Sequence, residues 1–339
     1  MAHYFITGHT GFKGAWLVLL LKSRGNEVSG LALDPFEGSL FARANLKSDL
    51  TFDFRADVRV FDEVRKALKL AQPDFVVHMA AQAQVREGYR NPLYTYQTNV
   101  DGTSNVLRAI DETDSVRAHL VVTSDKVYLD RGDGWPHLEN DVLGGKDPYS
   151  ASKAMADILA QEWLGRSDGT PGAIARAGNV IGTGDYSVDR LIPDIVRASQ
   201  SGKLLKLRNP RAVRPWQHVL DCLNGYLLLL EAAHSQGIRG PWNFGPDLNS
   251  SLSVQDVALE AQALGLDFSF QVEAEPLGWL ETQVLRIDSS RAREVLGWEP
   301  RLSERKALSL AFSDVLTPHS GSIRDLIEGQ VHSFESLTL

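Results

Sequence analysis

Through the first 177 residues, short apolar runs alternate with helical patterns, and this restricts the chain to few folds. "HYFIT" is followed by "GAWLVLLLKSRG", "EVSGLAL", "FDEVRKALKLAQ", "DFVVHMA", "YTYQTNVDGTSNVLRAI", "AHLVVTS", "YSASKAMADILAQEWLG" and "GAIARA". Strands separated by helices pair in parallel and are covered on both faces, so their own residues read as near-continuous apolar runs. The expectation is an α/β protein built on a doubly wound parallel sheet.

From about residue 178 the pattern changes. "GNVIGTGDYSVDRLIP" reads as a Gly-rich loop, and later apolar runs are shorter and more widely spaced. At 339 residues the chain exceeds most single cores, which suits a second lobe. We expect residues 1–178 to form the first domain, with the apolar helix in 218–240 returning to it. Residues 179–217 and 241–320 then form a smaller interleaved α/β lobe, and 321–339 an irregular tail.

"TGHTGFKG" places Gly8, Gly11 and Gly14 after the first strand and at the opening of the first helix, with Phe12 among them. Glycine permits a sharp turn and close approach of a pyrophosphate, and the helix N-terminus offers free N–H groups and a positive dipole end. In an alternating β/α chain this is the context of a Rossmann-like dinucleotide site. Asp34 closes the second strand about 20 residues beyond Gly14, where an acid takes the adenosine ribose hydroxyls, which favours NAD over NADP. It also precedes Pro35, as a turn initiator would. Asp57 is placed to approach the adenine. Ala80 and Ala81, with Gln82 after them in "HMAAQ", suit close packing on a flat cofactor, although core packing accounts for the alanines equally well.

Composition excludes several functions. A net charge of −8 and a pI near 5.6 disfavour a chain that coats nucleic acid or an anionic membrane. Cys222 is the single cysteine, so neither an internal disulfide nor a cysteine metal site can form, and a cytoplasmic location is the simplest reading. "WLVLLL" is too short to span a bilayer, and no targeting segment or metal site is expected. Against the acidic background, "KLLKLRNPRAVRP" at 203–215 carries Lys203, Lys206, Arg208, Arg211 and Arg214 without an acid. Facing a cleft, it would take an anionic small molecule.

"VVTSDKVY" ends a buried strand in Ser124, Asp125 and Lys126, and "YSASK" follows with Tyr149 and Lys153 four apart on one helix face. A phenol of pKa about 10 needs a nearby cation to act as a base at neutral pH. The glycine turn, the strand ending in Ser124 and Tyr-x-x-x-Lys together resemble the extended short-chain dehydrogenase/reductase family over about the first 250 residues. The resemblance implies bound NAD, retained tightly through each cycle. It implies that Ser124 holds the sugar oxygen being oxidised, that Tyr149 removes its proton, and that Lys153 holds the nicotinamide ribose and lowers the tyrosine pKa. Asn99 in "TNVDGT" matches a recurrent position beside the cofactor.

Epimerases of that family carry small or apolar residues after the Ser, whereas its nucleotide-sugar 4,6-dehydratases carry an acid and a second functional residue. "TSDK", "GHTGFKG", "LGGKDPYSASKA", "ARAGNVIGTGD", "DRLIPD", "RNPRAVRPWQHVL" and "WNFGP" resemble the CDP-glucose branch of those dehydratases. In that reaction Asp125 protonates the leaving hydroxyl. Lys126 either takes the carbon 5 proton or stays charged beside the enolate, and the first role is preferred. Asn179, Asp189, Arg190, Arg208, Arg214 and Gln217 become candidates for the nucleotide diphosphate, whose oxygens match arginine's planar donors. Tyr186 stands where tryptophan is usual, and Lys146 where an aromatic is usual. A homodimer through helices near 94–110 and 149–165 is a further implication. A dehydratase or epimerase of another nucleotide sugar is the alternative. A non-catalytic NAD sensor is disfavoured by the presence of both Tyr149 and Lys153.

Overall fold

The computed structural model describes residues 1–167, 169–248, 252–272, 283–316 and 321–337. Eleven strands occur among them: β1 (His3–Thr7), β2 (Glu27–Ala32), β3 (Asp53–Arg55), β4 (Phe75–His78), β5 (Ala118–Val122), β6 (Gly172–Ala177), β7 (Val180–Ile181), β8 (Leu205–Leu207), β9 (Gln217–His218), β10 (Pro241–Phe244) and β11 (Phe270–Val272). The helices are α1 (Phe12–Ser23), α2 (Leu40–Arg43), α3 (Phe61–Ala71), α4 (Val85–Arg90), α5 (Pro92–Tyr96), α6 (Gly102–Asp111), α7 (Pro148–Leu164), α8 (Leu191–Ser201), α9 (Val219–Gln236), α10 (Val254–Ala263), α11 (Ser290–Leu296), α12 (Glu304–Ala311), α13 (Ser313–Leu316) and α14 (Ile323–Glu335).

Seven strands form one parallel sheet in the order β10-β6-β5-β4-β1-β2-β3. The order reverses between β1 and β4, and at such a switch point the strands' C-terminal ends open a crevice for ligands. β5 and β6 are buried at every position, as the uninterrupted apolar runs require. Helices α1 and α9 cover one face around Trp16, Leu20, Leu223 and Tyr226. On the other, α3 and α6 pack through Val64, Leu68, Val106 and Ile110.

The second lobe has its own core, in which Ile192, Ile195, Trp216, Val257, Leu308 and Phe312 meet. It holds the small pairs β8 with β11 and β7 with β9. α9 packs in the main sheet's core, and β10 crosses the boundary drawn at 241. β10 pairs with β6 as the sheet's edge, and Trp298, just after α11, packs edge-on against Phe244 of β10.

The tail is not irregular either. Ser322 and Asp325 form a reciprocal capping box, and α14 follows, burying Ile323, Ile327, Val331 and Phe334 in the first domain's core. That stripe at helical spacing lies among polar residues, which hid it in a composition-based reading. Among the described residues no helix is long and apolar enough to cross a membrane, and no His, Cys, Asp and Glu cluster could hold a metal ion.

Candidate active site

A cleft with a cavity of about 380 Å3 opens at the C-terminal ends of β5 and β6 and is closed on its far side by the second lobe. Ser124, Asp125, Lys126, Tyr149 and Lys153 all line it. Two local devices bring them there. Where β5 ends, Ser124 caps a single 3-10 turn by accepting the Lys126 N–H at 3.2 Å, which turns Asp125 inward. Across from it, Asp147 caps α7 by accepting the Ser150 N–H at 3.0 Å, with Pro148 in the first turn. Tyr149 therefore sits at the helix mouth and Lys153 one turn deeper.

The electrostatics follow from burial. Asp125 is 2% exposed. Its Oδ1 accepts the Ser124 hydroxyl at 3.1 Å, while Oδ2 has no hydrogen-bond partner among the described residues. Burial pushes its pKa up, against the pull of Lys126, Ser124, Arg214 and Lys13. Burial likewise raises the Tyr149 phenol, and a hydrogen bond to Ser124, then the Arg190 charge, counter it. Lys153 donates to the Val122 carbonyl at 3.2 Å rather than to the phenol, and burial, with Lys13 nearby, brings it down to about 7.

Below this layer lies a buried ion pair. Arg176 on β6 meets Asp157 on α7 at 2.6 and 2.9 Å, both side chains are 0% exposed, and Thr123 donates to the same carboxylate at 2.8 Å. The pair ties α7 to the sheet directly under Ser124 and Lys153.

The glycine turn fits a dinucleotide. Gly8 has φ +78°, and a Cβ there would come within 2.8 Å of the Ala80 nitrogen. A Cβ on Gly14 would fall 2.3 Å from the Gly8 carbonyl oxygen. Gly11 opens α1, whose first turn contains Phe12 and has neither a side-chain cap nor an acid, so its N–H groups remain available to a pyrophosphate. Asp34 is exposed beyond β2. Asp57 forms an ion pair with Arg59 at 2.6 Å.

Other predicted residues separate into two groups. Ala81, Asn179, Asp189, Arg190, Arg208 and Arg214 line the cavity. Asp189 accepts from Arg86 at 2.6 Å and lies 3.4 Å from Arg208, linking α4 to the second lobe across the cleft. Gln217, Gln82 and Asn99 instead support the walls. Gln217 is buried and donates to the Phe244 carbonyl at 2.6 Å. The Asn99 amide holds the backbone N–H and carbonyl of Gln82 at 2.8 and 3.0 Å and donates to Ser152 at 2.8 Å, joining the β4 loop to α7. Asn99 lies in a π-turn, Gln97–Asp101, a local distortion that recurs at functional sites. Tyr186 bonds to Arg43, while Lys146 borders a smaller adjoining cavity together with Lys126 and Arg214.

Sequence reasoning missed Lys13 and Arg86, which also line the cleft. Lys13 is half-buried, donates to Tyr226 Oη at 3.2 Å, and is held below the ordinary lysine pKa by desolvation. Its one sequence signal is position: it falls within the glycine turn, directly before the buried run Gly14–Leu21.

A doubly wound parallel sheet with a cleft at its strands' C-terminal ends, a glycine turn shaped for pyrophosphate and a Ser-Tyr-Lys group define a Rossmann-type, dinucleotide-dependent enzyme class. Within that class, the chain belongs to the NAD dependent epimerase/dehydratase family, whose sequence pattern matches residues 4–245. It is 40% identical to the CDP-glucose 4,6-dehydratase of Salmonella typhimurium, over 88% of this chain and 86% of that one. The dTDP-glucose 4,6-dehydratase of the same organism is 26% identical, over 87% of each. Among solved structures, the UDP-glucose 4-epimerase of Thermotoga maritima superposes with a TM-score of 0.82 at 21% identity, covering 93% of this chain and 100% of that one. The dTDP-glucose 4,6-dehydratase of Bacillus anthracis gives 0.78 at 20%, covering 93% and 97%. These two likenesses establish the fold.

Proposed function

We propose that this chain is a nucleotide-sugar 4,6-dehydratase that uses NAD and converts CDP-glucose to CDP-4-keto-6-deoxyglucose. The observation that carries the reading is Asp125, buried in the cleft with one oxygen unpartnered, immediately between Ser124 and Lys126. An epimerase has no use for an acid at that place. The 40% identity to a CDP-glucose 4,6-dehydratase supports the choice of sugar nucleotide.

Gly8, Gly11, Phe12 and Gly14 with the α1 N-terminus would hold the pyrophosphate. Asp34 would take the adenosine ribose and Asp57 the adenine. Ala80 and Ala81 would pack on the cofactor's flat surfaces, and Tyr149 and Lys153 would take the nicotinamide ribose. NAD, when bound, would supply the hydride acceptor for sugar carbon 4 and the hydride donor for carbon 6. Ser124 orients the carbon 4 oxygen, and Tyr149 removes its proton. The resulting ketone acidifies the carbon 5 hydrogen. Lys126 takes that proton while Asp125, whose pKa burial pushes up, gives its own to the leaving hydroxyl on carbon 6. Arg190, Arg208 and Arg214, with Asn179, bind the diphosphate, and Asp189 orients Arg208.

The reading extends to a homodimer. Leu93 on α5 and Met155 and Ile158 on α7 are apolar side chains left 68, 48 and 55% exposed on these helices. It also extends to a cytoplasmic location, where the buried single thiol of Cys222 remains reduced.

The test is incubation of the purified protein with CDP-glucose, dTDP-glucose, UDP-glucose and GDP-mannose, with and without added NAD, followed by product mass. Loss of one water from CDP-glucose alone is the expected result. Unchanged mass in every tube despite NAD binding would refute it in favour of epimerisation or regulation.

A further inference from the structure

α4 and the turn before α8 face each other across the cleft, one from each lobe. α4 is fixed by its own domain. Asn99 holds the backbone of Gln82, and the Gln82 amide donates to the Gln84 carbonyl at 3.0 Å and to Thr95 at 2.8 Å. Gly88 lets the helix lie against α7, since a Cβ there would fall 3.2 Å from the Tyr149 nitrogen. On the other side Asp189 takes a left-handed backbone, φ +60°, which aspartate tolerates better than most side chains do. Arg190 follows directly and caps α8, whose Ile192 and Ile195 sit in the second lobe's core.

Arg86 Nη1 meets Asp189 Oδ1 at 2.6 Å, while Arg208 Nη2 approaches the same oxygen only to 3.4 Å. All three side chains line the cavity. Arg86 and Asp189 are 28 and 31% exposed, whereas Asp125 and Lys153 of the same cleft are buried. The pair therefore lies toward solvent and bridges the two lobes at the rim. Two guanidiniums share one carboxylate there, an excess of positive charge that suits an anionic diphosphate inside.

The dehydration contains a step that needs such a bridge. When hydride has left carbon 4 and water has been eliminated, the sugar is a 4-keto-5,6-ene, short of product by two hydrogens, and the missing hydride is held as NADH. Escape at that moment ends the cycle: the unsaturated sugar leaves and the cofactor stays reduced. We infer that Arg86 and Asp189 form a strap that keeps the lobes closed over this intermediate until hydride returns to carbon 6. The inference rests on the dehydratase reading above and gives Arg86 a positioning role that this reading does not use.

The test compares the wild-type holoenzyme with Arg86→Ala, Asp189→Asn and the double variant, with thermal unfolding to confirm each fold. Asparagine also tolerates the left-handed backbone, so that change removes charge alone. One readout is the dissociation rate of CDP in stopped flow. The other, during turnover of CDP-glucose, is NADH absorbance together with the mass of the released sugar nucleotide. Each single variant is expected to release CDP about two- to fivefold faster, the scale of one partly exposed ion pair. Each should also strand NADH in step with a released species lighter than the dehydrated product by two hydrogens. The double variant should do no worse than either single one, because the same pair is lost in all three. On Arg208 the single changes act oppositely: without Arg86, Asp189 captures it, and without the Asp189 charge it is freed. CDP release that moves in opposite directions in the two variants therefore makes the trio a diphosphate site and overturns the strap, as does stranding no greater than in wild type. Wild type that removes no water refutes the dehydratase reading instead, and CDP release then still decides whether the strap exists.

Discussion

Replacing Asp125 with asparagine should move activity and stability in opposite directions. The amide keeps the shape of the carboxyl and can still accept the Ser124 hydroxyl, now at 3.1 Å from Asp125 Oδ1, but it cannot donate an acidic proton. Loss of a positioned general acid costs about 10²- to 10⁴-fold in rate. Stability runs the other way. Asp125 is 2% exposed with Oδ2 unpartnered, and its folded pKa is raised above the unfolded value. The folded state therefore binds more protons than the unfolded one between those two values, and wild type loses stability as pH rises through that window. Asparagine has no such penalty. The variant should equal wild type at the acid end and gain about 1–3 kcal/mol above the folded pKa, the scale of an unsatisfied buried polar group. Urea unfolding across pH measures the second effect. Product mass, together with transient reduction of NAD under single turnover, measures the first, and carbon 4 oxidation should survive while water loss fails. If Asp125→Asn loses stability along with activity, or if oxidation and elimination fall together, Asp125 is a structural residue and the acid role is wrong.

Arg176→Met leaves the buried Asp157 carboxylate without its guanidinium and should cost about 3–5 kcal/mol, read as a lower urea midpoint at unchanged slope. Gly14→Ala places a methyl carbon 2.3 Å from the Gly8 oxygen. It should destabilise by about 1–3 kcal/mol and abolish the rise in melting temperature that NAD gives the wild type. Arg214→Ala should weaken CDP-glucose binding by about 1.5–3 kcal/mol in calorimetry while leaving NAD affinity unchanged. If the proposed dimer pairs through α7, Met155→Glu with Ile158→Glu should yield monomers in sedimentation velocity, since these exposed side chains would be buried with their charges on pairing.

The residues that read most clearly in the sequence are those whose role depends on near neighbours. The Gly8 to Gly14 turn, the end of β5 at Ser124 and the four-residue step from Tyr149 to Lys153 each need only local backbone geometry, and Lys13 of the turn, Ser124, Tyr149 and Lys153 line one cleft. Where reading failed, the missing information lay across the fold. Gln217 follows a basic, aromatic segment and reads as ligand-facing, and only the fold shows its amide N–H given to the carbonyl of Phe244, 27 residues away. β10 looked like part of the second lobe because nothing in "PWNF" specifies which strand it joins. The polar composition after residue 320 concealed a helix whose apolar stripe has a partner surface at the far end of the chain, on α1 and its neighbours.

The alternation of apolar runs and helical patterns therefore determined a parallel sheet, and local motifs its glycine turn and a Ser-Tyr-Lys group, because period, turn sterics and helix spacing act over a few residues. The tertiary structure alone decided that Lys13 enters the cleft, that Arg86 and Arg208 share Asp189, and that α14 closes the core. Each of these depends on which surfaces bury one another, and that free energy is set by contacts between segments that the linear order keeps apart.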